Sequence, residues 1–298
     1  MTINQEYDRT RDFTLSGGAT LSRIGFGTMR LPLAEPAAAR KVLRRAAESG
    51  VDHFDTASFY FAGDRSANAL LREALHPYRE RVFIAVKVGP QRTPDGAFTA
   101  PATAAELRGA VERNLLELGL ERLDLVYLRI GTMAPDPGES LAERFAVLAE
   151  LRREGLVGAL GVSNVTAGQL AEARAVAPVA AVQNHFNLTR RADLALLAEC
   201  RTLGIAYVPF PPLAGGDPAV APAVRRIAEA HGATVPQVLL AWLLALGPHV
   251  CPIPGTSSLA HLADNLAAAD LELSPAELAE LAELAEPAEP DGSDESTA

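Results

Sequence analysis

Short runs of apolar and β-branched residues alternate along this chain with longer amphipathic stretches, and the alternation repeats eight times. The runs are Ile24–Leu31, Val51–Ala57, Val82–Val88, Leu123–Ile130, Ala159–Val162, Ala180–Phe186, Ile205–Phe210 and Val250–Pro254. Strands that alternate with helices pair in parallel, because each helix carries the chain back to the start of the next strand. Eight such units, spaced roughly 30 residues apart, predict an α/β fold of the (β/α)8 or TIM-barrel type.

Helix starts can be read in the stretches between the runs. A Ser or Thr followed three residues later by Glu or Gln forms a capping box, in which each side chain accepts a hydrogen bond from the other residue's backbone N–H. This pattern begins at Thr103, Thr166, Thr234 and Ser274. We therefore expect a helix to begin at each of these positions, the last of them being a C-terminal helix.

The chain length allows either two ordinary domains or one barrel, which takes about 250 residues. No linker rich in Pro, Gly and Ser divides residues 1–298, so one barrel domain is predicted. A doubly wound sheet would need a G-x-G-x-x-G turn before its first helix, and Gly25–Thr28 lacks that pattern. Phe13–Leu21 is typical of a β-hairpin, which we expect to close the amino-terminal floor of the barrel, and residues 287–298 are typical of a disordered tail.

The composition argues against several classes of protein. The formal net charge is −10 and no basic stripe occurs, which argues against nucleic-acid binding. Met1–Asp8 is polar and acidic, unlike a signal peptide, and no apolar run reaches the ~18 residues that span a membrane. Cys200 and Cys251 lack metal-ligand spacing and are interpreted as small buried side chains in a reducing compartment. We expect a cytoplasmic protein without a structural metal.

Lysine is rare in this chain, and one of its lysines lies in an apolar run. Of 27 lysine and arginine residues, only Lys41 and Lys87 are lysine, a usage typical of a GC-rich bacterial genome. Arginine serves equally well as a surface charge, but only lysine can have its pKa lowered by burial or act as a compact ammonium beside a phenol. Lys87 is therefore a candidate functional residue, although a lysine that extends to solvent from a strand end gives the same pattern.

In a barrel of this type, chemistry is carried out at the carboxyl ends of the strands. The predicted ends are mostly polar or ionisable, whereas the strand interiors are apolar, an order that core packing alone does not produce. The residues at or just after these ends are Asp55, Tyr60, Lys87, Arg129, Ser163, Asn164, Gln183, Asn184, Phe210 and Gly255–Ser258.

Three of these residues form a recognisable acid–base set. An ammonium beside a tyrosine stabilises the phenolate that remains after proton donation, so the phenol becomes a better acid. A carboxylate paired with that ammonium holds its charge and position. Tyr60, Lys87 and Asp55 supply these parts, which suits protonation of a carbonyl oxygen while hydride arrives at its carbon. The hydride must come from a cofactor, because no side chain supplies one.

Several short motifs occur here in the order and spacing of one family. They are Gly25–Met29, Phe54–Ala57 with Tyr60, Val86–Lys87, Leu160–Asn164, Val182–Asn184, and Ile253–Thr256 with Asn265. On these motifs the chain resembles the aldo-keto reductases from about Leu21 to Leu284. The resemblance implies a barrel enzyme that moves hydride between NADPH and a small-molecule carbonyl.

The resemblance also implies roles for individual residues. Tyr60 is the implied general acid, and Asp55 and Lys87 are implied to tune it. Ser163, Asn164 and Gln183 are implied to hold the nicotinamide carboxamide, and Phe210 to stack on the ring. The remaining implied cofactor contacts are Gly27, Thr28 and Met29, then Leu213–Gly216 with Gly215 at the pyrophosphate, and Gly255, Thr256, Ser257, His261, Asp264 and Asn265 around the adenosine end.

One catalytic position departs from the family pattern. The family usually has a histidine after the fourth strand, where this chain has Arg129. Arginine stays charged and offers several fixed donors, so Arg129 could orient an anionic substrate, bind a carboxylate, or favour an imine or a conjugated double bond. The opposite interpretation is that Arg129 pairs with Asp55 or another acid and abolishes carbonyl reduction. His185, close to the cofactor face, is a further candidate for the missing histidine.

The sequence constrains the cofactor preference and the substrate less than it constrains the catalytic residues. Gly255–His261 lacks the Lys or Arg that often binds the 2′-phosphate in this family, so NADH remains possible beside NADPH, although hydroxyls, backbone N–H groups and His261 could hold a phosphate. The predicted substrate loops are Gly131–Gly138 and Pro209–Pro222. Three functions remain: a carbonyl reductase with Tyr60 as acid, an imine or enone reductase on the same cofactor, and a low-turnover NADP(H)-binding sensor or partner subunit.

Overall fold

The computed structural model describes residues 11–78, 81–131, 135–213 and 221–284. The predicted tail at 287–298 and the polar segment at 1–8 lie outside the described residues. The strands are β1 Asp12–Thr14, β2 Thr20–Ser22, β3 Phe26–Gly27, β4 His53–Ala57, β5 Phe61–Ala62, β6 Arg65–Ser66, β7 Phe83–Val88, β8 Leu123–Arg129, β9 Val157–Ser163, β10 Ala181–Gln183 and β11 Ala206–Tyr207.

Seven strands form one parallel sheet that curls into a barrel. Their order is β3, β4, β7, β8, β9, β10 and β11, so neighbours in space follow one another along the chain. The run Val250–Pro254 closes the ring. Val250 bridges Tyr207 of β11, and on the other side the Gly25 and Gly27 N–H groups donate to the carbonyls of Pro252 (3.0 Å) and Pro254 (3.4 Å). The arrangement agrees with the predicted (β/α)8 barrel.

The first and last predicted strands are wrong in extent. The first was predicted over Ile24–Leu31 but is only Phe26–Gly27, and a 3-10 helix, Leu31–Leu33, begins where the predicted run ends. The last makes an isolated bridge, Val250 to Tyr207, without a regular strand. Proline explains the difference at the last strand, since Pro252 and Pro254 have no N–H to donate to a ladder.

Helices surround the barrel. They are α1 Pro36–Glu48, α2 Ala67–Leu75, α3 Ala104–Leu118, α4 Ala142–Arg153, α5 Ala167–Val176, α6 Leu194–Leu203, α7 Ala221–Ala230, α8 Val235–Ala245, α9 Leu259–Ala267 and α10 Pro275–Glu283. All four predicted capping boxes form, at the starts of α3, α5, α8 and α10. No helix in the described part of the chain is both long and apolar enough to cross a membrane.

The N-terminal hairpin closes the floor of the barrel, as predicted. β1 and β2 pair antiparallel, and Leu15 and Leu21 pack with Phe83 and Leu125 near the amino ends of the strands. With this end covered, the site is expected at the opposite, carboxyl ends of the strands. Both cysteines are buried free thiols, and burial raises the pKa of each to about 12, so neither supplies a reactive thiolate.

Candidate active site

A buried ion pair lies at the carboxyl ends of two neighbouring strands. Asp55 lies on β4 and Lys87 on β7, and the two side chains are only 3% and 2% exposed. Lys87 Nζ donates a hydrogen bond to Asp55 Oδ1. Burying two charges is costly unless they are paired at close range, which this contact achieves. Lys87 is therefore an internal residue of the site, and the alternative that it extends to solvent is wrong.

The Asp55 carboxylate is held from a second side. Gln183 Nε2, at the end of β10, donates to Asp55 Oδ2 at 2.8 Å. Thr28 anchors the backbone of the same residue, because its N–H and its Oγ both donate to the Asp55 carbonyl at 3.0 Å. With both carboxylate oxygens bonded, Asp55 has one fixed orientation. The ion-pair partner of Asp55 is therefore Lys87, and not Arg129 as one interpretation of the sequence supposed.

Tyr60 lies in the turn that follows β4. Its N–H donates to the Ala57 carbonyl at 3.0 Å, and its ring packs edge-to-face on Phe59 at 5.0 Å. The Lys87 ammonium lies 5.1 Å from the centre of the Tyr60 ring, and Tyr60 is 7% exposed. The structure therefore brings together the three residues that were predicted to form the acid–base set.

Sequence reasoning missed Arg92, which supports the segment that carries Tyr60. Its guanidinium donates to the carbonyl oxygens of Phe59 (3.0 Å) and Phe61 (3.3 Å), the two residues that flank Tyr60. Arg92 Nε also donates to the Gly96 carbonyl, at 2.7 Å, and the guanidinium lies 4.7 Å from the Phe61 ring centre. Nothing in the sequence distinguishes Arg92 from the other arginines, because the carbonyls of Phe59 and Phe61 that it contacts are backbone atoms 33 and 31 positions away.

Replacing Arg92 with Gln is expected to lower kcat by about 10- to 100-fold while the affinity for cofactor stays the same, because a small displacement of Tyr60, the predicted proton donor, is costly. Steady-state kinetics and cofactor titration measure the two effects. Arg44→Gln is the matched control, since Arg44 also donates to two backbone carbonyls, those of Glu73 and Ala74, but between outer helices. An unchanged kcat for Arg92→Gln would contradict this role.

Arg129, the last residue of β8, faces the same end of the barrel. Its guanidinium carbon lies 5.3 Å from the Phe210 ring centre, and Phe210 in turn stacks with His185 at 5.9 Å. Burial lowers the pKa of Arg129, whereas the nearby Tyr60 and Asp55 raise it. Arg129 therefore lies within electrostatic reach of the acid–base set, and the predicted stacking aromatic lies beside it.

The residues predicted to hold a carboxamide group are buried together. Ser163 ends β9, opposite Arg129 of β8, and Asn164 follows it in a left-handed conformation with φ 58°. The Asn164 N–H donates to the carbonyl of Gln183 on the next strand, at 3.1 Å. Ser163 Oγ and Gln183 Oε1 are buried without a hydrogen-bond partner of standard geometry among the described residues. Orphaned polar atoms of this kind suit a ligand amide, so the site fits the carboxamide of a nicotinamide cofactor.

A close backbone contact joins the first and last strands at the mouth. A Cβ at Gly255 would lie 2.3 Å from the Gly27 carbonyl oxygen, and one at Gly27 would lie 2.6 Å from the Ile253 carbonyl oxygen. Both positions therefore require glycine. Backbone packing alone accounts for these two residues, so neither of them is evidence for a bound ligand. Thr256 Oγ accepts from the Ser258 N–H at 3.0 Å, which shapes the turn before α9.

The other predicted cofactor residues differ in how exposed their side chains are. Asn265 is buried and Asp264 half-buried, whereas Met29, Ser257 and His261 are exposed. Leu213 packs against the core, and Gly215 lies outside the described residues. The predicted loops Gly131–Gly138 and Pro209–Pro222 are described except at 132–134 and 214–220. Among the described residues, no group of three or more His, Cys, Asp and Glu side chains is arranged to hold a metal ion.

Tyr127 is a second residue that the sequence did not reveal. It pairs with Lys87 across the β7–β8 ladder and is fully buried. Burial raises the pKa of Tyr127 well above its ordinary value, and the charge of Asp55 raises it further, so the phenol stays neutral. A Cβ at Gly161 would lie 2.5 Å from the Tyr127 ring, so glycine at that position makes room for it.

Comparisons with known proteins agree with this geometry. The model of the Aldo/keto reductase family matches residues 23–217 and 218–286. Pyridoxine 4-dehydrogenase of Escherichia coli is 43% identical over 278 residues, which cover 90% of this chain and 96% of that protein. An uncharacterised oxidoreductase of Schizosaccharomyces pombe is 35% identical, covering 87% of this chain and 85% of its own length.

A solved structure of an aldo-keto reductase has the same fold as this chain. The crystal structure of an aldo-keto reductase from Klebsiella pneumoniae in complex with NADPH superposes with a TM-score of 0.80. It is 27% identical in sequence and covers 94% of this chain and 96% of its own. The likeness in fold therefore covers nearly the whole of both chains.

Proposed function

This chain belongs to the aldo/keto reductase family, and from that premise we propose that it moves hydride between NADP(H) and a pyridoxal-like aldehyde, with Tyr60 as the general acid. It is an oxidoreductase. The observation that carries the assignment of Tyr60 is the buried Asp55–Lys87 pair, whose ammonium lies 5.1 Å from the Tyr60 ring centre.

The chemistry divides between cofactor and protein. The bound nicotinamide cofactor supplies the hydride. As the carbonyl π bond breaks, Tyr60 gives its phenolic proton to the carbonyl oxygen, and the product is an alcohol. Lys87 stabilises the phenolate that is left on Tyr60, and Asp55 keeps Lys87 charged and in place. Solvent returns the proton to Tyr60 before the next turnover, and in the oxidative direction each transfer is reversed.

Ser163, Asn164 and Gln183 are the residues that would hold the nicotinamide carboxamide. In support, Ser163 Oγ and Gln183 Oε1 are buried and lack hydrogen-bond partners of standard geometry within the described part of the chain. Gln183 also donates to Asp55, so the residue that positions the cofactor is joined to the pair that tunes the acid. NADPH is the proposed cofactor, and NADH remains an alternative because Gly255–His261 carries no Lys or Arg.

The proposed substrate is pyridoxal or, in the other direction, pyridoxine. Its support is the 43% identity to the Escherichia coli pyridoxine 4-dehydrogenase along nearly the whole of both chains. Pyridoxal is a polar aromatic aldehyde. Arg129, with the aromatic ring of Phe210 beside it, gives the mouth a cation, which suits a polar substrate of this kind.

A substrate panel separates this function from its alternatives. NADPH and NADH consumption is measured with pyridoxal, other aldehydes, ketones, imines and enones, and NADP⁺ reduction with pyridoxine. We expect turnover of pyridoxal and other aromatic aldehydes with NADPH. Turnover confined to imines or enones would favour a reductase of those bonds, to which Arg129 could contribute. Tight NADPH binding without turnover of any compound would favour the sensor or partner-subunit function.

A further inference from the structure

The Tyr127 ring lies inside the barrel and extends toward the strand that carries Gln183. Tyr127 is on β8, opposite Lys87 of β7 on one side and Gly161 of β9 on the other. A Cβ at Gly161 would lie 2.5 and 2.7 Å from Tyr127 Cδ1 and Cε1, so one edge of the ring lies directly over that glycine. The ring therefore reaches across β9 toward β10, the strand that ends at Gln183.

The hydroxyl on this ring is a buried polar group. Tyr127 is fully buried, and among the described residues its Oη has no hydrogen-bond partner of standard geometry. An unpaired buried donor is costly, so a partner is expected close by. The Gln183 side chain is near enough to interact with this hydroxyl. Burial raises the pKa of Tyr127 well above its ordinary value, so the phenol keeps a proton to donate.

The Gln183 amide offers the matching acceptor. Its Nε2 donates to Asp55 Oδ2 at 2.8 Å, which turns Oε1 away from the carboxylate. Gln183 Oε1 is buried and, like Tyr127 Oη, lacks a partner of standard geometry within the described part of the chain. An amide oxygen has two lone pairs, so Gln183 Oε1 can accept from Tyr127 and also from the amide of a ligand.

We propose that Tyr127 is a positioning residue for the cofactor: its Oη donates to Gln183 Oε1 and holds that oxygen in place to accept from the amino group of the nicotinamide carboxamide. Asp55 holds the other end of the Gln183 amide, so the side chain is fixed at both ends. Tyr127 acts through Gln183 and is not assigned a contact with the cofactor. The inference rests on the proposed function, because it requires that Gln183 binds the carboxamide.

Two cofactors that differ only in the carboxamide test the inference. In the 3-acetylpyridine analogue of NADP⁺ a methyl group replaces the amino group, so the analogue cannot donate to Gln183 Oε1. The Kd of each cofactor is measured by calorimetric titration of the wild type and of Tyr127→Phe. We expect Tyr127→Phe to weaken NADP⁺ binding by about 3- to 10-fold, the effect of one neutral hydrogen bond, and to leave the Kd of the analogue unchanged. Equal effects on the two cofactors, or no effect on either, would overturn the inference.

Chemical denaturation of the protein without cofactor gives an independent measurement. A Tyr127 hydroxyl that donates to Gln183 contributes to stability, so Tyr127→Phe should lower the denaturant concentration at the midpoint of unfolding. An unpaired buried hydroxyl is unfavourable, and its removal would raise that midpoint. A raised midpoint would therefore contradict the hydrogen bond on which the inference depends.

Gln183→Met distinguishes a failure of the inference from a failure of the proposed function. If Gln183 binds the carboxamide, Gln183→Met weakens the binding of NADP⁺ more than that of the analogue, and adding Tyr127→Phe causes no further loss. A further loss in the double variant would overturn the inference and leave the carboxamide site intact. If Gln183→Met binds both cofactors as the wild type does, the carboxamide assignment in the proposed function is wrong, and the inference fails with it.

Discussion

Replacing Tyr60 with Phe is expected to lower kcat for aldehyde reduction by about 10²- to 10⁴-fold, the usual contribution of a positioned general acid. The substitution removes a single oxygen and keeps the ring, which packs on Phe59 and beside the Lys87 ammonium. The cofactor contacts proposed at Ser163 and Gln183 do not involve Tyr60, so the Kd for NADPH should stay at its wild-type value. Single-turnover kinetics and fluorescence titration measure the two quantities.

Tyr78→Phe provides the matched control. Tyr78 is a partly buried tyrosine whose hydroxyl donates to the Leu118 carbonyl at 2.9 Å, away from the ion pair. Removing that hydroxyl should leave kcat unchanged. If Tyr60→Phe retained the wild-type rate, another group would have to be the acid. If it lost NADPH binding in parallel with the rate, the effect would be structural.

Replacing Lys87 with Met is expected to abolish turnover and to lower the free energy of unfolding by about 3–5 kcal/mol, because it leaves Asp55 as a buried charge without its cation. Methionine is close to lysine in length and shape, so packing changes little. Chemical denaturation gives the free energy, and the aldehyde assay gives the rate. The effect should far exceed that of Arg40→Met, which breaks the exposed Arg40–Glu73 pair and should cost no more than about 1 kcal/mol.

The double variant Asp55→Asn with Lys87→Met separates stability from catalysis. It removes both charges of the pair, so it should recover part of the stability lost by Lys87→Met. Turnover should stay abolished, because the phenolate of Tyr60 still lacks its ammonium. Recovery of the rate in the double variant would contradict the role given to Lys87, and an unchanged unfolding free energy in Lys87→Met would contradict the importance of the pair.

Local patterns were enough to predict most of the fold. The alternation of apolar runs predicted the barrel, and four capping boxes located helix starts, because both signals lie within short stretches of sequence. The last strand was misjudged where a hydrophobic run contains proline. At Val250–Pro254 the missing N–H groups of Pro252 and Pro254 prevent a regular ladder, although the residues are apolar enough for one.

The candidate site was predictable only in part. Lys87 could be singled out by its rarity and Asp55 by its place at a strand end, and the structure joins them. The bond from Gln183 to Asp55 spans 128 positions, so no sequence pattern indicates it. The role of Arg92 is likewise identified only from the three-dimensional structure, because its partners are backbone carbonyls, which every residue has.

Hydride transfer to pyridoxal is the central claim, and isotope transfer tests it most directly. Purified protein is mixed with pyridoxal and NADPH that carries deuterium at both C4 positions, and the products are examined by mass spectrometry. The account predicts pyridoxine with one deuterium on the carbon of its 4-hydroxymethyl group, formed in equal amount to NADP⁺. Recovery of unlabelled pyridoxal beside bound, unoxidised NADPH would contradict it.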